Sequence, residues 1–253
     1  MTATKGIFLD TLSNQYLIPS AVPMPPTPVA PVIPATAKNT GSIIAIPGWK
    51  MEWDDGTPPT AKNISMIYNP TTKTALFSAD QTGKAGVRWS VTAAKNVPDT
   101  VMNYCYDITF QLPDPTQEAC VELDINHVDS LGNIYFLCVQ ASHYSKSYEY
   151  TLGKAAGGVG WNPSIIPVDP LAWPANTNKH IRIFSHRDNA KKAYYDGVEE
   201  DGKYSIFAPT SFGLDTENEN WTKQILLPNF QLDGANASGH ISALVSNFVI
   251  YYW

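Results

Sequence analysis

From about residue 43 onward the chain alternates short apolar runs with Gly, Pro, Asn and Asp clusters, and within the runs apolar and polar residues tend to alternate singly. "IIAIPGWKMEW", "TALFSA", "GVRWSVTA", "NYCYDITFQL", "ACVELDIN", "NIYFLCVQAS", "YEYTL", "KHIRIFSH", "KAYYDGV", "KYSIF", "KQILLPNFQL" and "HISALVSNFVIYYW" all read as strands. No run keeps a helical period over three turns. About a dozen strands without intervening helices predict an all-β antiparallel sandwich or jelly roll.

Parity within the strands separates two kinds of face. In "VELDINHVD" the residues Glu122, Asp124 and Asn126 leave one side and Val121, Leu123 and Ile125 the other. In "NYCYDITFQL" Tyr104, Tyr106, Ile108 and Phe110 oppose Asp107, Thr109 and Gln111. In "NIYFLCVQAS" Tyr135, Leu137 and Val139 oppose Phe136, Cys138, Gln140 and Ser142, and in "KHIRIFSH" Ile181 and Ile183 oppose His180, Arg182, Phe184 and His186. If these four strands share a sheet, one polar surface collects Glu122, Asp124, Asn126, Asp107, Gln140, His180 and Arg182. That surface is the expected binding groove. The long connection between Ser142 and Lys179 offers Trp161 and Trp173 as aromatic rims, or as pins that hold the loop on the sandwich.

The segment before residue 46 differs. "VPMPPTPVAPVIP", residues 22–34, holds Pro23, Pro25, Pro26, Pro28, Pro31 and Pro34. This forbids helix and favours polyproline II, with a reach of roughly 40 Å. The expected organisation is an extended arm over 1–45 and a sandwich over 46–253. The arm is read either as a linker or as a tether on its own domain or a neighbouring subunit, with the apolar leader Ile7, Phe8, Leu9 and Leu12 adding buried surface there. A homo-oligomer through residues 1–40 follows from the second reading.

The 253 residues carry 17 Lys and Arg against 23 Asp and Glu, a net charge of −6 with no basic stripe, which argues against nucleic acid. The start "MTATKGIFLD" does not read as a signal peptide, and no apolar stretch is long enough to span a membrane. Cys105, Cys120 and Cys138 allow at most one internal disulfide. Cys120 and Cys138 share a face and form the one plausible pair, but free buried thiols are the favoured reading. No C-x-x-C, G-x-S-x-G or phosphate loop is present, and "HRD" at 186–188 lacks the surroundings of a kinase.

The order "YDITFQLPDPTQEACVELDIN", "NIYFLCVQAS", "KHIRIFSHRDNAKKAYYDGV" and the closing "VSNFVIYYW" resembles the concanavalin A-like lectin/glucanase superfamily over roughly residues 46–253. "YYDGV" resembles a strand-turn of laminin-G-like and glucanase sandwiches. "ELDIN" is similar to the catalytic strand of laminarinase and lichenase hydrolases, which runs Glu, apolar, Asp, apolar, Glu. The resemblance implies Glu122 as nucleophile and Asp124 as the residue that sets its environment. Asn126 departs from the pattern, since an amide has no proton to give a leaving oxygen. A bulged variant of the pattern would put His127 in the acid/base place. Calcium is common in the fold by resemblance, and "DGVEEDG" (196–202) and "LDGANASG" (232–239) are its candidate turns, though neither has EF-hand spacing. No other cofactor is expected.

Three functions stand at this point. The first is a non-catalytic carbohydrate-binding domain acting on a polysaccharide or glycan through Glu122, Asp124, Asn126, Gln140, His180 and Arg182, with Trp161 or Trp173 at the rim. The second is a β-glycan hydrolase using Glu122, Asp124 and His127. The third is a structural subunit of a surface layer, filament or virion. The expected location is extracellular or particle-associated.

Overall fold

The structure is a computed structural model that describes residues 27–53, 61–82, 86–151, 160–189, 192–207, 211–212, 222–235 and 238–253. The strands are β1 (Lys38–Asn39), β2 (Lys50–Trp53), β3 (Ala61–Asn69), β4 (Thr74–Thr82), β5 (Gly86–Ser90), β6 (Ala94–Lys95), β7 (Asn103–Gln111), β8 (Glu118–Val128), β9 (Ile134–Ser142), β10 (Ser147–Thr151), β11 (Trp161–Pro167), β12 (Lys179–Arg187), β13 (Ala193–Glu200), β14 (Lys203–Ile206), β15 (Ser211–Phe212), β16 (Ile225–Gly234) and β17 (Ser238–Tyr252). Among the described residues three short 3-10 turns, Ile43–Ala45, Pro115–Gln117 and Pro170–Ala172, lie between them.

Among the described residues the strands form two antiparallel sheets. One runs β14-β13-β12-β7-β17-β4-β3, with β1 on β17 and β15 on β13; the other runs β11-β10-β9-β8-β16-β5-β2, with β6 on β16. This is the expected all-β antiparallel sandwich. The alternation within each strand also holds. Leu123, Ile125, Val139, Leu137, Ile108 and Ile181 meet between the sheets. The centre of that core is aromatic: Phe77 packs edge-on to Trp49, Trp89 and Phe230 at centroid distances of 5.2, 5.5 and 5.3 Å. Two of its polar ends are satisfied: Trp89 Nε1 donates to the Ser65 carbonyl and the Tyr106 hydroxyl to the Asn229 carbonyl, each at 3.0 Å, while Trp49 Nε1 has no partner.

The grouping of strands differs from expectation. β7 and β12 pair with each other in the nine-stranded sheet, and β8 and β9 pair in the eight-stranded one. The chain changes sheet between β7 and β8, through the Pro115–Gln117 turn. Polar residues that share parity therefore split between the two outer surfaces of the sandwich.

The sandwich begins earlier than residue 46. Lys38 and Asn39 pair with Tyr252 and Tyr251 of β17, and Ile43 and Ile44 are buried in the core. Residues 27–37 are mostly exposed, Val29 and Val32 at 84% each. The apolar leader lies outside the described residues.

The register of β8 against β9 positions the site. Its hairpin is organised by Asp129, whose Oδ1 accepts the backbone N–H groups of Leu131 (2.9 Å) and Asn133 (2.8 Å), while Oδ2 accepts from Asn133 Nδ2 (2.7 Å). Gly132 supplies the left-handed residue at φ +92°.

Candidate functional site

The outer surface of the eight-stranded sheet carries a polar row that runs across six strands. Successive pairs are Glu52–Arg88, Arg88–Gln231, Gln231–Glu122, Glu122–Gln140 and Gln140–Glu149. At the usual strand spacing the row spans about 24 Å. A second row lies beside it: Lys50, Ser90, Asn229, Asp124 and Cys138. Asn126 starts a third, between Leu227 and Phe136. Glu122, Asp124, Asn126 and Gln140 are thus brought together as expected. Arg88, Glu149, Asn229 and Gln231 complete the surface and were not singled out from sequence. The alternation of "GVRWS", "PNFQL" and "YEY" puts each on one face of its strand but does not say which strands lie beside β8.

These side chains are tightly packed. Glu122 is 7% exposed, Asp124 1%, Gln140 3%, Asn229 3% and Gln231 2%. Cys138 Sγ lies 3.3 Å from Glu122 Oε1, Asn229 Nδ2 donates to Asp124 Oδ2 at 3.2 Å, Gln140 Nε2 donates to Glu149, and Gln231 Nε2 donates to Asp233 at 2.9 Å. Burial, and after it the neighbouring Asp124 charge, holds the Glu122 carboxyl well above the usual range. Burial also raises Asp124, and raises the Cys138 thiol with help from both acids. Carboxylate oxygens of Glu122 and Asp124 lie within 4.8 Å of each other.

Three acceptors on this surface make no hydrogen bond: Asp124 Oδ1, Gln140 Oε1 and Asn229 Oδ1. An unsatisfied buried acceptor costs about 1–3 kcal/mol. Their shared need is a donor, and a polyol brings hydroxyl donors at intervals along its length.

His127 does not belong to this surface. The β8 pairings with β9 and β16 run without a bulge from Val121 to Val128, so residue 127 keeps the parity of Leu123 and points inward. It is fully buried, 2.6 Å from the Tyr104 hydroxyl through Nδ1, and burial lowers its pKa to about 4. The acid/base role implied by a bulged strand is therefore corrected. Asn126 Nδ2 donates to the Leu227 carbonyl at 3.4 Å and offers no acid in its place.

His180 and Arg182 are also separated from the row. They sit on the outer face of the other sheet, where His180 Nε2 donates to Asp107 at 3.2 Å, Asn247 Nδ2 donates to the same oxygen at 2.7 Å, and Arg182 Nε donates to Glu199 at 3.0 Å. The reason is the change of sheet after β7. Trp161 lies half-buried on β11 opposite Thr151. Trp173 is 8% exposed, packed 5.9 Å from Phe110 in the core with Lys179 Nζ 5.3 Å over its ring, so it pins its loop rather than rimming the groove.

All three cysteines are free and buried. Cys120 faces Ser142 while Cys138 faces Asp124, four positions along β8, about 13 Å, which no disulfide bridges. A cation would find Glu122, Asp124 and Cys138 with ligand atoms within 4.8 Å of one another. Two buried acids and a thiol do not suit calcium, which takes about six to eight oxygens. The 196–202 turn does not suit it either, because its carboxylates are already engaged. Asp196 accepts from His186, Glu199 from Arg182, Glu200 from Lys179 and Tyr148, and Asp201 from Lys179. Asp201 and Gly202, at φ 49° and 83°, form a hairpin turn. Residues 236–237 of the second candidate turn lie outside the described residues.

No protein-family model and no curated protein matches the chain. Solved structures with a similar course include lectin II from Ulex europaeus (TM-score 0.43, 8% identity, 86% of this chain and 97% of that one). They also include the conserved carbohydrate esterase vb_24B_21 from Shiga toxin-encoding bacteriophage phi24B (0.44, 9%, 82% and 91%) and alginate lyase AlyC3 (0.41, 12%, 74% and 78%). At these identities and TM-scores the likeness is one of overall course alone.

Proposed function

We propose that the protein is a carbohydrate-binding jelly roll whose site is the outer surface of the eight-stranded sheet. The observation that carries the reading is the set of unsatisfied acceptors, Asp124 Oδ1, Gln140 Oε1 and Asn229 Oδ1, on one cross-strand surface. Glu122, Glu149 and Gln231 extend the same surface. The three acceptor oxygens are themselves enclosed, so a sugar reaches them only as neighbouring groups move aside. Binding without chemistry fits this surface better than hydrolysis does. Burial pushes the Glu122 carboxyl up, which opposes its ionisation as a nucleophile, and Asn126, in the place of the second catalytic carboxyl, has no proton to give.

The test is a glycan array followed by calorimetry. Wild-type protein is expected to bind a glycan weakly per sugar, in the range where a millimolar constant is about −4 kcal/mol. Glu122→Ala is expected to lose that binding. Silence across β-glucans, galactans and host glycans would overturn the reading. An extracellular or particle-associated location accompanies it. Among the described residues no helix is long and apolar enough to cross a membrane.

A second reading, a structural subunit that packs its arm on a neighbouring copy, is favoured by Val29 and Val32, whose side chains stand in solvent instead of on their own sandwich. Removing residues 1–37 stops short of β1. On this reading it abolishes assembly and leaves the sandwich folded; a truncated protein that assembles like the full chain would end it.

A further inference from the structure

The two sheets part at one side of the sandwich. β11 ends the eight-stranded path and β14 the other, and between them lies a cavity of about 390 Å³. One wall is apolar, made by Tyr148, Ile166, Pro167 and Val198; the other carries Glu200, Asp201, Lys203 and Ser205. Strand parity explains the polar wall. Ser205 stands opposite Val198 and Lys203 opposite Glu200, so both share the inward direction of Val198, while Tyr204, opposite Glu199, faces out. The inner side of β14 thus bears an ammonium and a hydroxyl where a sandwich usually closes on apolar residues.

The acids of this wall are held in place. Lys179 Nζ donates to Glu200 Oε1 at 2.6 Å and to Asp201 Oδ2 at 2.8 Å, the buried Tyr148 hydroxyl donates to Glu200 Oε2 at 3.0 Å, and the His180 N–H donates to Asp201 Oδ1 at 2.9 Å. Each of these oxygens keeps a second lone pair. Among the described residues no hydrogen bond or ion pair engages Lys203 Nζ or Ser205 Oγ. The cavity therefore offers both donors and acceptors facing an apolar wall. Its charges balance, Glu200 and Asp201 against Lys179 and Lys203, so a charged ligand would leave one charge unpaired in a partly enclosed space. A sugar ring matches both walls, with a C–H face for the apolar one and hydroxyls that donate and accept for the other. The volume falls at the small end of the usual range for ligand sites, about 300–1,000 Å³, which suits one ring and not a chain.

We propose that this cavity is a second ligand site, which takes one uncharged, hydroxyl-bearing ring of monosaccharide size. Tyr148 faces it from inside the sandwich while the next residue, Glu149, points to the outer surface, so the two sites are separate and stand or fall independently.

The experiment titrates the full chain with free glucose, galactose and mannose, and with the uronic acid and 2-amino form of each, and follows the backbone amide NMR signals. At least one neutral sugar is expected to shift the signals of β11, β13 and β14 and to saturate at millimolar concentration, equally in the wild type and in Glu122→Ala. Its two charged forms are expected to bind at least about tenfold more weakly. Ser205→Trp fills the cavity and is expected to abolish the shifts. Lys203→Ala, at an exposed position, is expected to weaken binding about threefold, and it decides the matter if the tryptophan variant does not fold. No shift with any sugar, shifts that persist unchanged in the folded variants, or shifts confined to β8 and β9 and lost in Glu122→Ala each overturn the site. A charged form that binds as tightly as the neutral one overturns its choice of an uncharged ring.

Discussion

The two outer surfaces of the sandwich are written in the same alternating code and do opposite things with it. On the nine-stranded sheet Asp107, His180, Arg182, Glu199 and Asn247 meet as complementary partners, donor against acceptor. His180 retains 39% exposure of its side chain. On the eight-stranded sheet the amides of Asn229 and Gln140 donate to Asp124 and Glu149, buried, and Asp124 Oδ1 and both amide oxygens are left over. A surface that neutralises itself needs nothing further, whereas one that buries surplus acceptors stores an unmet demand. The comparison teaches that polar alternation alone does not mark a site; the balance of donors and acceptors does.

The largest expected effect separates the two sides of one strand. Leu123→Ala removes packing between the sheets and should destabilise by about 2–5 kcal/mol, while Glu122→Gln one residue away removes a buried acid and should cost little or stabilise at neutral pH. Denaturant unfolding reads both, and an equal loss from the two would mean that Glu122 is structural. Next comes binding. Truncation of Glu122 or Asp124 to Ala should cost about 1–3 kcal/mol of glycan affinity, whereas His180→Ala and Arg182→Ala should leave affinity within about twofold. Calorimetry on the four variants breaks the comparison if the second pair matters as much as the first.

Acidity sharpens it further. The Glu118 carboxyl, which accepts the Ser242 N–H at 2.9 Å, is pushed by burial from 4.5 up to about 8. The folded chain then holds a proton that the unfolded chain releases, so this contribution is full below the unfolded pKa and is lost as pH rises towards 8. His127 works in the opposite sense, its pKa lowered by burial from 6.5 to about 4, which removes stability as pH falls through that range. Between pH 6.5 and 8 only the acid side of this balance remains. Stability should decline there, by up to about 1.4 kcal/mol per unit for one group, and Glu118→Gln should flatten the slope measured by pH-resolved unfolding. The smallest effect is on the paired surface: Arg182→Ala should cost no more than about 1 kcal/mol, as for other partly exposed ion pairs.

Much of the fold was legible because side-chain parity is a local property. Leu123 and Ile125 inside, with Glu122 and Asp124 outside, follow from the two-residue repeat alone. Which strands share a sheet is not local, and His180 and Arg182 were misplaced for that reason. Parity also gives no indication of a regular or a bulged strand, which only the continuous β8 register decides for His127. Trp173 was ambiguous because aromatic loop residues serve rims and cores equally well. Asn229 and Gln231 were missed because nothing in "LLPNFQL" says that β16 lies beside β8, a pairing between segments about a hundred positions apart in sequence.

The most direct measurement is a crystal structure of the full chain with the tightest oligosaccharide from the array. The account predicts sugar density over the Gln231–Glu122–Gln140 row, with ring hydroxyls within hydrogen-bond distance of Asp124 Oδ1, Gln140 Oε1 or Asn229 Oδ1. Sugar seated instead over His180 and Arg182, or contacts that leave all three acceptors unmet, would contradict it.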